Sequence, residues 1–309
     1  MGGGLQMPFR VRILNNGQPA AVVTVHELKV NSGLKVEDRA KRAMKWSLAV
    51  LVIGCAAGAL AAETAQERGK RVVEEALKAM GGEAYLQMQD RVETGRAYSF
   101  YNGRLSGLSV AHLYTQYLKP SQPQVPGKLL VRERDTFGKQ EEDVFIFRED
   151  QGWEITFRGA VMLDDERVAR FKDSMLRNIL YILRARLNEP GLTFYSQGRD
   201  FWENRPVEVV EITDADNLMV TVYFDSSTKL PVRQVYKRRN KEYNDFDTEV
   251  TFFAKYRDVG GGVQWPFDVR RDRNGEKFFE MYSESVEINK GLKDSLFELP
   301  ANVKMRKAK

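Results

Sequence analysis

The chain has 309 residues, 42% of them hydrophobic and 11% aromatic, a globular rather than disordered composition with enough length for a sizeable core. The net charge of +5 lies before Glu63: Arg10, Arg12, Lys29, Lys35, Arg39, Lys41, Arg42 and Lys45 face only Glu27, Glu37 and Asp38, so the remainder is neutral and lacks the uncompensated cations of a nucleic-acid groove. One cysteine, Cys55, and two histidines, His26 and His112, leave the body without a disulfide, a thiolate metal site or a cysteine nucleophile.

Residues 41–62 run from Lys41-Arg42 through an apolar stretch to Ala59-Leu60-Ala61, the three parts of a secretory signal with an A-x-A exit. The stretch is shorter and richer in Ala and Gly than a spanning helix requires. The organisation expected is an upstream extension over 1–43, disordered or preceding a translation start at Met44, then a signal peptide over 44–62 and one domain over 63–309. The extension shows no convincing paired strand. A cleaved signal places the mature chain in the periplasm of a bacterial cell envelope. A second reading takes Val52-Ile53-Gly54-Cys55 as a lipobox, with Cys55 acylated and anchoring the protein to a membrane.

Thr64 followed three residues later by Glu67 is a capping box. Val72, Val73, Ala76, Leu77 and Met80 recur at helical spacing until Gly81-Gly82, which predicts an amphipathic helix. From Arg91 the period changes to two. Val92 to Phe100 and Leu108 to Tyr114 form strands around Asn102-Gly103, and 129–134, 143–148 and 153–158 follow as short strands. A helix is predicted from an Asp164-Asp165 cap to Pro190-Gly191, with one stripe of Val168, Phe171, Met175, Leu176, Ile179, Leu180, Leu183 and Leu187. Strands resume over 193–201, 207–213, 218–224, 232–238, 249–257, 265–271 and 277–288, the last pair joined by Asn274-Gly275.

About a dozen strands with two helices give a mainly β (α+β) fold, and their short connections require antiparallel pairing. A sheet of that size must curl or split, and two apolar helix faces are available to fill its concave side. Motifs for catalysis are absent. The acidic runs Glu141-Glu142-Asp143, Asp164-Asp165-Glu166 and Asp245-Phe246-Asp247 sit beside turns and caps, and Gly260-Gly261-Gly262 lies between strands rather than before a helix. No catalytic residue, metal site or cofactor is expected.

The segment order, and above all Asp225 to Pro231, Tyr256-Arg257-Asp258-Val259, Trp265-Pro266, Glu287-Ile288-Asn289 and Phe297 to Pro300, resembles the outer-membrane lipoprotein-sorting (LolA-like) family, most specifically over 222–300. The resemblance implies a half-open β-barrel with helices packed in its concave face. It also implies a carrier that shields lipid or lipoprotein acyl chains without chemistry, with inner- and outer-membrane proteins as further partners. No particular Arg matches the family's functional arginine. The cavity candidates are Phe100, Phe145, Phe147, Trp153, Phe157, Phe171, Met175, Ile179, Phe224, Phe252 and Trp265, with the helix of Phe171, Met175 and Ile179 as lid. The rival expectation is a non-catalytic envelope sensor or scaffold that binds a partner protein.

Overall fold

A computed structural model describes residues 10–15, 18–24, 63–121, 124–240 and 243–306. The leader and Cys55 lie outside the described residues. The chain divides into two units, Met1–Ala62 and Glu63–Lys309. In the first, β1 (Arg10–Asn15) and β2 (Gln18–Thr24) form an antiparallel hairpin, a pairing that the sequence pattern did not suggest.

The second unit opens with α1 (Ala65–Met80). Thr64 caps it as expected: its hydroxyl accepts from the Glu67 amide at 3.1 Å, and the Glu67 carboxylate accepts from the Thr64 amide at 2.8 Å. A short helical turn, α2 (Glu83–Leu86), follows the Gly81-Gly82 stop. Then comes a meander of β3 (Asp90–Tyr101), β4 (Arg104–Tyr117), β5 (Val131–Phe137), β6 (Asp143–Arg148), β7 (Gln151–Thr156) and β8 (Gly159–Met162). After a helical segment the meander resumes with β9 (Thr193–Trp202), β10 (Arg205–Thr213), β11 (Met219–Asp225), β12 (Pro231–Asn240), β13 (Asp245–Asp258), β14 (Gln264–Arg273) and β15 (Glu276–Ile288). Asn274 and Gly275, at φ of 52° and 83°, make the left-handed two-residue turn anticipated between β14 and β15.

Among the described residues these strands form one fourteen-stranded open sheet in the order β16-β8-β7-β6-β5-β4-β3-β15-β14-β13-β12-β11-β10-β9, where β16 is Met305–Arg306. The mainly β, half-open architecture is therefore present. Two elements escaped the sequence. β8 is too short to show alternation, and β16 pairs parallel to it through Met305 and Arg306.

The central helical segment also differs from expectation. It is not one helix. α3 (Asp165–Leu176), capped by the Asp164 carboxylate on the Arg167 amide at 2.7 Å, ends at Arg177. Asn178 is extended, its side chain accepts from the Leu180 amide at 3.0 Å, and a second short piece, α4 (Ile179–Tyr181), continues into a π-turn over Ile182–Arg186. A short amide side chain that satisfies nearby backbone competes with helix continuation, which breaks the segment here. The apparent single stripe is thus two. Ile179, Leu180, Ile182 and Leu183 join the α1 core, whereas Phe171, Met175 and Leu176 pack with Leu129, Val131 and Tyr181.

The α1 core fills the concave side of β10–β14. Val73, Ala76 and Met80 meet Val210, Val222, Phe224 and Phe253, and all of these are buried. The helix lies close because Gly69 has no side chain: a Cβ there would stand 2.7 Å from the Phe194 carbonyl oxygen. On the other face of the sheet, a 3₁₀ turn over Asp294–Phe297 follows β15, with Phe297 fully buried. The preceding bend is held by the Asp90 carboxylate, which accepts from the amides of Lys290, Gly291 and Leu292 at 2.6–3.0 Å.

Candidate functional site

The second concave region, between α3 and the sheet, is not filled. It holds a cavity of about 980 Å³ lined from β3–β6, β12–β15 and α3. Alternation along each strand sends every second side chain inward, so β5 contributes Glu133, Asp135 and Phe137, and β13 contributes Glu249, Thr251 and Phe253. The apolar wall comprises Leu113, Phe147, Phe171, Met175, Trp265 and Met281, with Val269, Phe278 and Phe279 beside them.

α3 crosses the mouth as a strap fixed at both ends. Toward β6 and β7, Phe171 stacks on Phe147 with ring centroids 3.8 Å apart, and Arg167 pairs with Glu154 at 2.9 Å. Toward β12, Asp173 pairs with Arg238 at 3.0 Å, and the Arg177 guanidinium donates to the Lys237 carbonyl at 2.7 Å. The helical segment beyond α3 is anchored by Arg186, which is 1% exposed. It pairs with Glu189 at 2.6 Å and Asp214 at 2.8 Å and donates to the Leu176 carbonyl.

The cavity floor is charged, which departs from the apolar interior the sequence suggested. Arg91 pairs with Glu93 and donates to Thr115 at 2.8 Å, and its guanidinium lies 4.3 Å from the centre of the Trp265 ring. Glu93 also accepts from Ser283. Cross-strand register aligns Arg91, Thr115 and Glu133 in one row, and Leu113 with Asp135 in the next. Burial holds the Glu133 carboxyl above its ordinary range, with Arg91 and then Arg271 drawing it back down. Burial also holds Asp135 well above its ordinary range, reinforced by the Glu133 charge. The surface that Asp135 retains faces the cavity.

Of the aromatic and aliphatic candidates, Phe147, Phe171, Met175 and Trp265 line the cavity together. Phe145 shares their face at the rim, edge-on to Phe137 at 6.2 Å and with the Arg167 guanidinium 5.7 Å above its ring. The remainder lie elsewhere. Ile179 and Phe224 are sealed in the α1 core, at 0% and 1% exposure. Trp153 opposes Ile146, whose face is the one turned away from Phe147. Phe252 stacks with Trp202 at 5.8 Å on the face opposite Phe253. Phe157 is 86% exposed at a turn, and Phe100 lies under the Lys277 ammonium, outside the cavity.

Sequence reasoning missed Arg91, Glu93, Glu133, Asp135 and Arg271. On β5 the run Arg132-Glu133-Arg134-Asp135 is charged at every position, so no alternation marks which face is inward. His112 is placed structurally, 3.2 Å from the Thr94 hydroxyl and stacked on Tyr114. No helix among the described residues is long and apolar enough to cross a membrane.

No family model matches the sequence, and no curated protein matches it. Solved structures do. An outer-membrane lipoprotein-sorting protein domain from Vibrio parahaemolyticus is similar at 13% identity and a TM-score of 0.52, over 75% of this chain and 97% of that one. A DUF1329 family protein from Desulfovibrio piger is similar at 11% identity and a TM-score of 0.51, over 76% and 98%. A LolA superfamily protein from Nitrosomonas europaea aligns at 9% identity with a TM-score of 0.47, over 75% and 97%. Identities this low speak to fold alone, and the mainly β open sheet shares its fold with the lipoprotein-sorting protein domain from Vibrio parahaemolyticus.

Proposed function

We propose that this chain is a carrier or binding protein of the bacterial envelope that shelters acyl chains of a lipid or lipoprotein in the cavity under α3, without making or breaking bonds. The observation that carries this reading is the unfilled space of about 980 Å³ walled by Phe147, Phe171, Met175, Trp265 and Met281. Such a volume is at the upper end of what small-molecule sites enclose, roughly 300–1,000 Å³. Burial is sufficient as a driving force, since each methylene removed from water contributes about 0.8 kcal/mol. Entry and release require α3 to lift, and its ties to Glu154 and Arg238 are polar contacts that water can replace. Export through the leader over 44–62 places the carrier in the periplasm, and acylation at Cys55 is the competing arrangement.

Native mass spectrometry of the full chain purified from a bacterial host, followed by solvent extraction, tests the reading. The expected result is a co-purifying lipid or acylated peptide, lost when Phe171 and Met175 are replaced by Asp. A mass without ligand that persists after incubation with phospholipids and lipopeptides overturns the reading and favours a protein-binding envelope module.

A further inference from the structure

The charged groups on the cavity lining fall into two sets. One set is internally satisfied: Arg91 with Glu93, Glu93 with Ser283, Arg273 with Glu249 at 2.8 Å, and Arg238 with Asp173 at 3.0 Å. The other set is not. Asp135 makes no hydrogen bond or ion pair among the described residues, and Glu133 has only a long contact from the Thr115 hydroxyl at 3.4 Å. Arg271 likewise lacks a carboxylate within ion-pair distance, and its guanidinium lies 5.5 Å from the centre of the Phe279 ring. Two carboxyl groups and one guanidinium thus line the same cavity without an ion-pair partner among the described residues.

A carrier that held only acyl tails would gain nothing from this arrangement. A half-buried carboxylate without a cationic partner is partly withdrawn from water at a cost, and a ligand cation would offset that cost. Both acids nevertheless line the cavity. The missing partner is then a part of the ligand.

Building on the carrier reading above, we propose that the cavity takes its ligand head-inward and recognises a zwitterionic phospholipid head, with Asp135 and Glu133 on the ammonium and Arg271 on the phosphate. Carboxylates accept charge-assisted hydrogen bonds from an ammonium, and a guanidinium suits phosphate oxygens through its planar fork of donors. The aromatic wall of Phe147, Phe171 and Trp265 then holds the chain behind the head, beneath α3.

The test uses the full chain stripped of lipid, titrated calorimetrically with lysophosphatidylethanolamine and lysophosphatidylglycerol of identical acyl chain, both below their micelle-forming concentrations. The first probe carries an ammonium and the second does not. The expected result is that the ethanolamine lipid binds about tenfold or more tightly, the size of one good charge-assisted contact. Asp135→Asn with Glu133→Gln should abolish that preference by weakening the ethanolamine lipid alone, whereas Arg271→Gln should weaken both probes. Equal binding of the two lipids to the unaltered chain overturns head recognition and leaves the carrier reading standing. If the preference survives in the Asp135→Asn, Glu133→Gln chain but vanishes in Asp165→Asn, Glu166→Gln, the head sits at the mouth and the proposal falls. Failure of both lipids to bind overturns the carrier reading together with it. The comparison of lipids on the unaltered chain decides the matter even if a variant does not fold.

Discussion

The two concave regions of this sheet are built from the same strand alternation and covered by helices of similar length, yet one is solid and the other hollow. Under α1 the helix backbone is brought against β9 by Gly69, and aliphatic side chains from helix and strands close the space completely. Under α3 apolar contact is limited to the Phe147 stack and the small cluster of Met175 and Leu176 with Leu129, Val131 and Tyr181, and the strands opposite present acids and arginines among their aromatic residues. The lesson is that coverage and packing are separate properties. A helix held by ion pairs and a small apolar cluster spans a gap without filling it, because water can compete for the ion pairs and the apolar contact does not run along the whole helix.

Substitutions that probe each region separately should break this contrast where it is strongest. Phe224→Ala, in the solid region, should cost about 3–5 kcal/mol of stability in denaturant titration, since it leaves a void among fully buried neighbours. Arg186→Met should cost a comparable amount, roughly 3–5 kcal/mol, because Glu189 and Asp214 would remain buried without their cation. Phe171→Ala, in the hollow region, should cost less, about 1–3 kcal/mol from its stack on Phe147 and its half-buried ring, while ligand retention in native mass spectrometry drops sharply. A large stability loss at Phe171 would mean that α3 is packed as tightly as α1.

The smallest effect has the opposite sign. Burial raises the folded-state pKa of Asp135 above its unfolded value, so the folded state holds this proton more firmly than the unfolded one. The resulting contribution is fully present below the unfolded carboxylate pKa, about 3.9, and is lost as pH rises through the raised folded value. Asp135→Asn should therefore raise the melting midpoint at neutral pH by about 2–4 °C for each kcal/mol recovered, with the gain shrinking as the pH approaches 4. An unchanged midpoint across that range would show that Asp135 is solvated as well in the fold as out of it.

The elements that were legible in the sequence are those with long local signals. Thr64 and Glu67 announced α1, and Asn274-Gly275 announced the last hairpin, because capping and turn chemistry act within a few residues. The site was legible only in part, for Phe147, Phe171, Met175 and Trp265. Phe224 and Ile179 are as apolar as these, but whether an inward side chain meets a helix or a void depends on where α1 and α3 lie, which no local pattern encodes. The break at Asn178 shows the same limit, since its apolar flanks continue at helical spacing while the residue itself caps a new segment.

The place of β3 beside β15 carries a consequence for how the molecule assembles. These strands sit midway along the fourteen-strand order, yet their contact between Glu93 and Ser283 spans 190 residues of chain. Each half-sheet can zip through neighbouring hairpins as it emerges, but the join waits for one of the last strands to be made. Until then β3 offers an unsatisfied backbone edge of twelve residues, the kind of surface on which strands of other molecules add. A closure so distant in sequence is slow, so the interval during which the chain stays receptive to a chaperone, or vulnerable to self-association, is written into the order of its strands.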